Sequence, residues 1–176
     1  MDSRFILACI FMWSAAEANS QALFTSDSVD MEKYSGKWYE IATVSNGNSK
    51  DCHCTTADYE YLNGRLEMID RCIVFKNGKS KMIESGSRGY PVDGSRNLQL
   101  KISPFSSSYY IIMVDKDYTW AVVSKQKQGK IRILYRDAYM PSTLYKEILK
   151  ELKTKGYSVE SIQKTSQNCD LVGERF

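Results

Sequence analysis

The residues best suited to chemistry lie in SKDCHCTTADYEYLNGRLEMIDRC, residues 49–72, which holds Cys52, His53, Cys54 and Cys72. Three of the chain's five cysteines and its single histidine fall within it. Thiols and an imidazole this close could bind zinc, cycle between thiol and disulfide, attack a substrate, or cross-link the chain. Structural zinc asks for further Cys or His pairs, and the sequence offers no second cluster. A thioredoxin-like centre asks for Cys-x-x-Cys in a βαβ setting, whereas the spacing here is Cys-x-Cys. A free Cys72 would be the candidate nucleophile of an enzyme, but one histidine and no Ser-His-Asp arrangement give it little company. Disulfides are the better reading, and the expectation is no metal, no cofactor and no catalysis.

Disulfides imply an oxidising compartment, and the N-terminus agrees. Met1 to Arg4 is short and carries one basic residue, FILACIFMW is an apolar run of nine, and small residues follow, with Ala16-Glu17-Ala18 in a small-x-small pattern. This is the anatomy of a secretory signal peptide, assigned to residues 1–20, and nine apolar residues are too few to span a bilayer. Ile6-Leu7-Ala8-Cys9 loosely resembles a lipidation site, which leaves a periplasmic or lipid-anchored protein as the alternative, but the apolar core runs on past Cys9. Without the leader, Cys52, Cys54, Cys72 and Cys169 remain, an even number with three possible connectivities. Residues 21–176 fit one domain. The net charge of +3 is mild and scattered, so no nucleic-acid footprint is indicated.

The elements that would position these groups are mostly strands. Asn46-Gly47, Asn63-Gly64, Asn77-Gly78 and Asp93-Gly94 punctuate the chain, and the pair at 63 has the strongest hairpin character. Strands are predicted near 38–45, 52–61, 65–75, 80–90, 97–103, 108–114, 119–125 and 130–136. Short connections favour antiparallel neighbours, and eight such strands close most simply into an up-and-down barrel. One helix is predicted in PSTLYKEILKELKTKG, with Leu144, Ile148, Leu149 and Leu152 on one stripe, Pro141 at its start and Gly156 at its stop. It would pack outside the barrel. The last dozen residues form a tail in need of an anchor.

Three motifs in order resemble those of the lipocalin family. KYSGKWYEIA at 33–42 resembles its Gly-x-Trp signature through Gly36 and Trp38, DKDYTWAVV at 115–123 its second motif around Asp117 and Tyr118, and IRILYRDAYM at 131–140 its third, with Arg136 as the basic residue. The likeness covers roughly residues 29 to 169 and is greatest to the apolipoprotein D and bacterial outer-membrane types. It implies an all-β, eight-stranded antiparallel barrel with a C-terminal helix outside. Gly36, Trp38 and Arg136 take a structural role, the guanidinium lying on the indole. The resemblance also implies that Cys54 joins Cys169, leaving Cys52 for Cys72 with a bulge in the second strand to reconcile their faces.

The same resemblance implies a cup for one small hydrophobic ligand: a fatty acid, lysolipid, sterol, retinoid or tetrapyrrole. Its wall would comprise Tyr59, Leu66, Met68, Asp70, Leu98, Leu100, Ile102, Arg132 and Leu134. Two of these depart from the family pattern, where an aromatic residue stands at the Arg132 position and an Asn at the Asp70 position. An unpaired charge in an apolar cup is costly, so either Arg132 pairs with Asp70 or it receives a ligand's carboxylate or phosphate. The expected protein is a secreted carrier, not stably inserted in a membrane. The alternatives are a receptor-binding module with an occluded cup, using the loop around SPFSSSYY at 103–110, and an isomerase or reductase that needs a free Cys72.

Overall fold

In a computed structural model, which describes residues 29–44, 52–92, 99–103, 107–125 and 130–169, the tight turns set the topology. Asn63, Gly64, Asn77 and Gly78 all have positive φ, between 51° and 76°. Positive φ at both central residues gives a turn whose twist matches that of its flanking strands. These two turns join β2 (Cys52–Leu62), β3 (Arg65–Lys76) and β4 (Lys79–Pro91). The sheet continues through β5 (Gln99–Ser103), β6 (Ser107–Val114), β7 (Trp120–Lys125) and β8 (Lys130–Tyr135), each antiparallel to the one before. β1 (Gly36–Val44) pairs with both β8 and β2, which closes the barrel.

Closure is not uniform along β1. Its first half pairs with β2 from Gly36↔Tyr59 to Tyr39↔Thr56, and its second half pairs with β9 (Ile162–Lys164) from Ala42 to Val44. β1 and β2 therefore diverge, and the register shifts of both strands, at Glu40/Ala42 and His53/Thr56, fall at this fork. The C-terminal segment, expected only as a tail, fills the fork. Thr165 N donates to Ile41 O, and Cys54 N donates to Ser166 O. Gln167 Nε2 bridges Glu40 O and Thr55 O, and a disulfide joins Cys54 to Cys169. The β2 bulge, with Cys54 at φ +53°, brings Cys52 to the barrel wall beside Cys72, to which it is bonded. His53 packs edge-on against Phe75 with ring centroids 5.3 Å apart.

The barrel has two apolar cores. The outer one lies beneath α2 (Ser142–Thr154), whose Ile148 and Leu152 pack on Ile41, Met113, Trp120, Val122, Ile131 and Ile133. The helix ends as its sequence suggests: Gly156 takes φ +83°, Tyr157 N donates to Leu152 O, and Gly156 N donates to Lys153 O. These two bonds satisfy the last carbonyls of the helix. The inner core gathers Tyr34, Trp38, Ala57, Tyr59, Leu66, Met68, Tyr109, Ile111, Val123 and Leu134 inside the barrel.

One end of the barrel is plugged. A single-turn helix, α1 (Met31–Tyr34), is capped by Asp30 and buries Tyr34 in the barrel mouth, where Tyr34 O accepts from Trp38 Nε1 at 2.9 Å. Arg136 Cζ lies 3.6 Å from the centre of the Trp38 ring. Its guanidinium donates to the carbonyls of Tyr118, Lys37, Lys33, Tyr34 and Ser35. Five acceptors from two chain segments, 33–37 and the turn at Tyr118, require a planar fork of donors, which lysine lacks. Gly36 makes room for it: at φ +101°, a Cβ here would sit 3.1 Å from Arg136 Nη1. Tyr118 OH accepts from Asp30 N at 2.7 Å. In the same motif the turn is tied by Asp115, which accepts from Thr119 N and Trp120 N, while Asp117 is exposed.

Replacing Arg136 with Ala removes the cation–π contact and leaves several carbonyls short of a donor, so the expected loss is about 2–3 kcal/mol in urea denaturation. Arg136→Lys keeps the charge but not the fork and should recover less than half of that loss. A Lys variant as stable as the parent would contradict the role given to the planar guanidinium.

Candidate ligand-binding cup

The interior changes character at one level. Moving from the plugged end toward the open end, the inward residue goes from Trp38 to Glu40 on β1, from Ala57 to Thr55 on β2, from Met68 to Asp70 on β3, and from Leu134 to Arg132 on β8. Below that level the side chains pack against one another. Above it lies a cavity of about 280 Å³, lined by Glu40, Thr43, Thr55, Asp70, Ser85 and Arg132, with the Cys52–Cys72 disulfide and Ile83 on the wall and Arg71 and Lys130 also contributing.

Arg132 forms the floor. Its Nε donates to Glu40 Oε2 at 2.6 Å, and its Nη1 donates to Asp70 Oδ1 at 2.8 Å. Its side chain is 11% exposed, Glu40's 8% and Asp70's 29%. Burial works against the charged guanidinium, but Asp70 and then Glu40 outweigh it and hold the Arg132 pKa above its already high usual value. The other oxygen of Glu40 accepts from Thr165 Oγ1 at 2.9 Å, which ties the ion cluster to the C-terminal segment. One arginine is thus matched by two carboxylates. Glu40 was not singled out in the sequence, although period-2 alternation from Trp38 places it on the inward face. Its partner arrives through pairing of β1 with β8, which sequence spacing does not reveal.

The structure brings two of the expected wall residues, Asp70 and Arg132, to the cavity. Tyr59, Leu66, Met68 and Leu134 belong to the packed core beneath it. Leu98 lies outside the described residues, as does most of the connection in SPFSSSYY, and only the backbone of Leu100 and Ile102 is described. The core below the floor contains a further polar group. Tyr109 OH lies 3.3 Å from Tyr34 OH and 3.1 Å from Tyr59 OH, and the Tyr34 and Tyr59 rings stack with centroids 5.5 Å apart. These bulky residues pack the lower barrel, and the cavity lies in the upper half. The thiol considered for catalysis is absent, because Cys72 is bonded to Cys52.

Comparison with known proteins agrees with this architecture. The Lipocalin-like domain family matches residues 29–167. The chain belongs to the lipocalin family. Temperature-induced lipocalin-1 of Arabidopsis thaliana is 29% identical over 152 residues, covering 80% of each chain. Outer membrane lipoprotein Blc of Vibrio cholerae is 23% identical, over 92% of this chain and 96% of that one. Apolipoprotein D of Mus musculus is 24% identical, over 81% and 80%. Among solved structures, lobster apocrustacyanin A1 superposes with a TM-score of 0.62 at 18% identity, covering 77% of this chain and 78% of that one, a likeness of fold. Lipocalins are generally non-enzymatic carriers of small hydrophobic ligands. Two disulfides suggest an extracytoplasmic setting for this lipocalin. Among its described residues, no helix is long and apolar enough to cross a membrane.

The tyrosine cluster gives a pH dependence. Burial, before any neighbouring charge, raises the pKa values of Tyr34, Tyr59 and Tyr109 above the ordinary tyrosine value. Above about pH 10 the unfolded chain therefore releases protons that the folded chain retains, and stability falls as pH rises through that value. In an absorbance titration of tyrosinate, these three tyrosines should ionise only with cooperative unfolding. Gradual ionisation of all 12 tyrosines while the fold persists would contradict their burial.

Proposed function

We propose that this lipocalin is a secreted carrier that holds a small hydrophobic ligand in the upper half of its barrel, and that it binds rather than catalyses. The observation that supports this most is the cavity of about 280 Å³ above the Arg132 floor, inside a barrel that is plugged at its other end. Family membership and the two disulfides support the same reading. Residues 1–20 would be removed on export, leaving 21–176 as one domain.

The cavity lies at the small end of the range for ligand pockets, about 300–1,000 Å³. A single alkyl chain or a compact ring system suits it better than a large fused macrocycle. Burying about ten methylenes gains roughly 8 kcal/mol, and association costs of about 4 kcal/mol or more offset much of that. The apolar gain alone then leaves an affinity near millimolar, about 4 kcal/mol, and contacts to the head group must supply anything tighter.

A second reading is favoured by the filled lower barrel: with so much of the interior taken up by tyrosines, the barrel could serve as a scaffold for a receptor-binding surface. The test is a tryptophan-fluorescence titration of the mature, delipidated chain with fatty acids, lysolipids, retinol, progesterone and biliverdin. Saturable one-to-one quenching by one class is expected from a carrier. No response to any of them, repeated by calorimetry, would move the assignment to the receptor-binding reading.

A further inference from the structure

The charge inventory of the cup floor selects the head group of its ligand. Arg132 is the cation that a ligand's carboxylate would need, and both Glu40 and Asp70 already hold it. The other two cations of the wall are also engaged: Arg71 bonds to Asp58 and Glu84, and Lys130 has an interaction of its own. The floor therefore carries two carboxylates against one guanidinium. Asp70 is its more exposed acid, and only its Oδ1 takes the Arg132 bond, leaving the other oxygen as an acceptor on the cavity side. Thr55 supplies an independent signal. It is 7% exposed and lines the same cavity, and its hydroxyl oxygen, buried beside that space rather than open to it, has no partner among the described residues.

An excess acceptor in a space walled by a disulfide and Ile83, with a buried unpartnered hydroxyl that a rotation of Thr55 χ1 can turn toward it, suits a head group that brings donors and positive charge. An ammonium has three donors and no acceptor, whereas a carboxylate has acceptors only and would place a third negative charge at the floor. We propose that the cup takes amphiphiles with a protonated amine head, seated between Asp70 and Thr55, in preference to fatty acids. This rests on the carrier reading and adds a ligand class to it. Of the two roles that the sequence left open for Arg132, it takes the pairing with Asp70: the guanidinium organises the carboxylates and is not itself the anion receptor.

The test uses three ligands with one chain, decylamine, decanol and decanoate, titrated calorimetrically into the mature protein at neutral pH and below micelle-forming concentrations. The amine should bind at least about tenfold tighter than the carboxylate, with the alcohol between them. Asp70→Asn should remove most of the amine's advantage over the alcohol. Decanoate binding as tightly as decylamine would overturn the inference while leaving the carrier reading intact. Binding by none of the three would also overturn the inference, and the carrier reading would then be decided by the wider panel of lysolipids, retinol, progesterone and biliverdin. If Asp70→Asn does not fold, the order of the three ligands on the parent protein still decides.

Discussion

The guanidinium of Arg132 sits where the interior of a barrel is normally apolar, and a buried charge persists only when it is matched. Glu40 and Asp70 match it from strands on either side of the barrel seam, β1 and β3, while Arg132 itself comes from β8. Three strands far apart in sequence must therefore reach their correct registers together. A one-residue slip in any of them would turn a charge out of the cluster and leave its partners unpaired. The cluster also divides the barrel. Beneath it the aromatic side chains close-pack, and above it the strands separate a cavity from solvent.

Glu40 connects this cluster to the weakest part of the wall. It lies where β1 leaves β2, and its side-chain and main-chain oxygens are both taken by the C-terminal segment, through Thr165 and Gln167. The Cys54–Cys169 disulfide holds that segment in place, closing a loop of 115 residues, and in the chain-entropy model a loop of that size contributes about 4.7 kcal/mol. Cys52–Cys72, across the β2–β3 hairpin, stiffens the cavity wall itself. The two disulfides thus have different tasks: one keeps the fork filled, and the other shapes the cup.

Much of the fold was legible in the sequence because its signals are local. Asn-Gly turns, period-2 alternation and the Leu144–Leu152 stripe each act within a few residues, and the Gly36, Trp38 and Arg136 plug follows the family motifs. The role of the tail was not legible. β9 is only three residues long and is stabilised by pairing with β1 rather than by any propensity of its own. The candidate site was legible only in part. The inward placement of Asp70 and Arg132 was implied by the family resemblance, but the filling of the lower barrel depends on three tyrosines from α1, β2 and β6 converging, which no spacing in the chain encodes. Asp115 was passed over for Asp117 because both stand in one turn and only the fold decides which faces the backbone.

The Glu40–Arg132 pair organises the barrel, and a double-mutant cycle with Glu40→Gln and Arg132→Met measures how strongly the two depend on each other. Breaking one partner of a buried ion pair typically costs about 3–5 kcal/mol, and the coupling between these two should be about 2 kcal/mol or more by urea denaturation. Losses that simply add, with coupling near zero, would contradict the account.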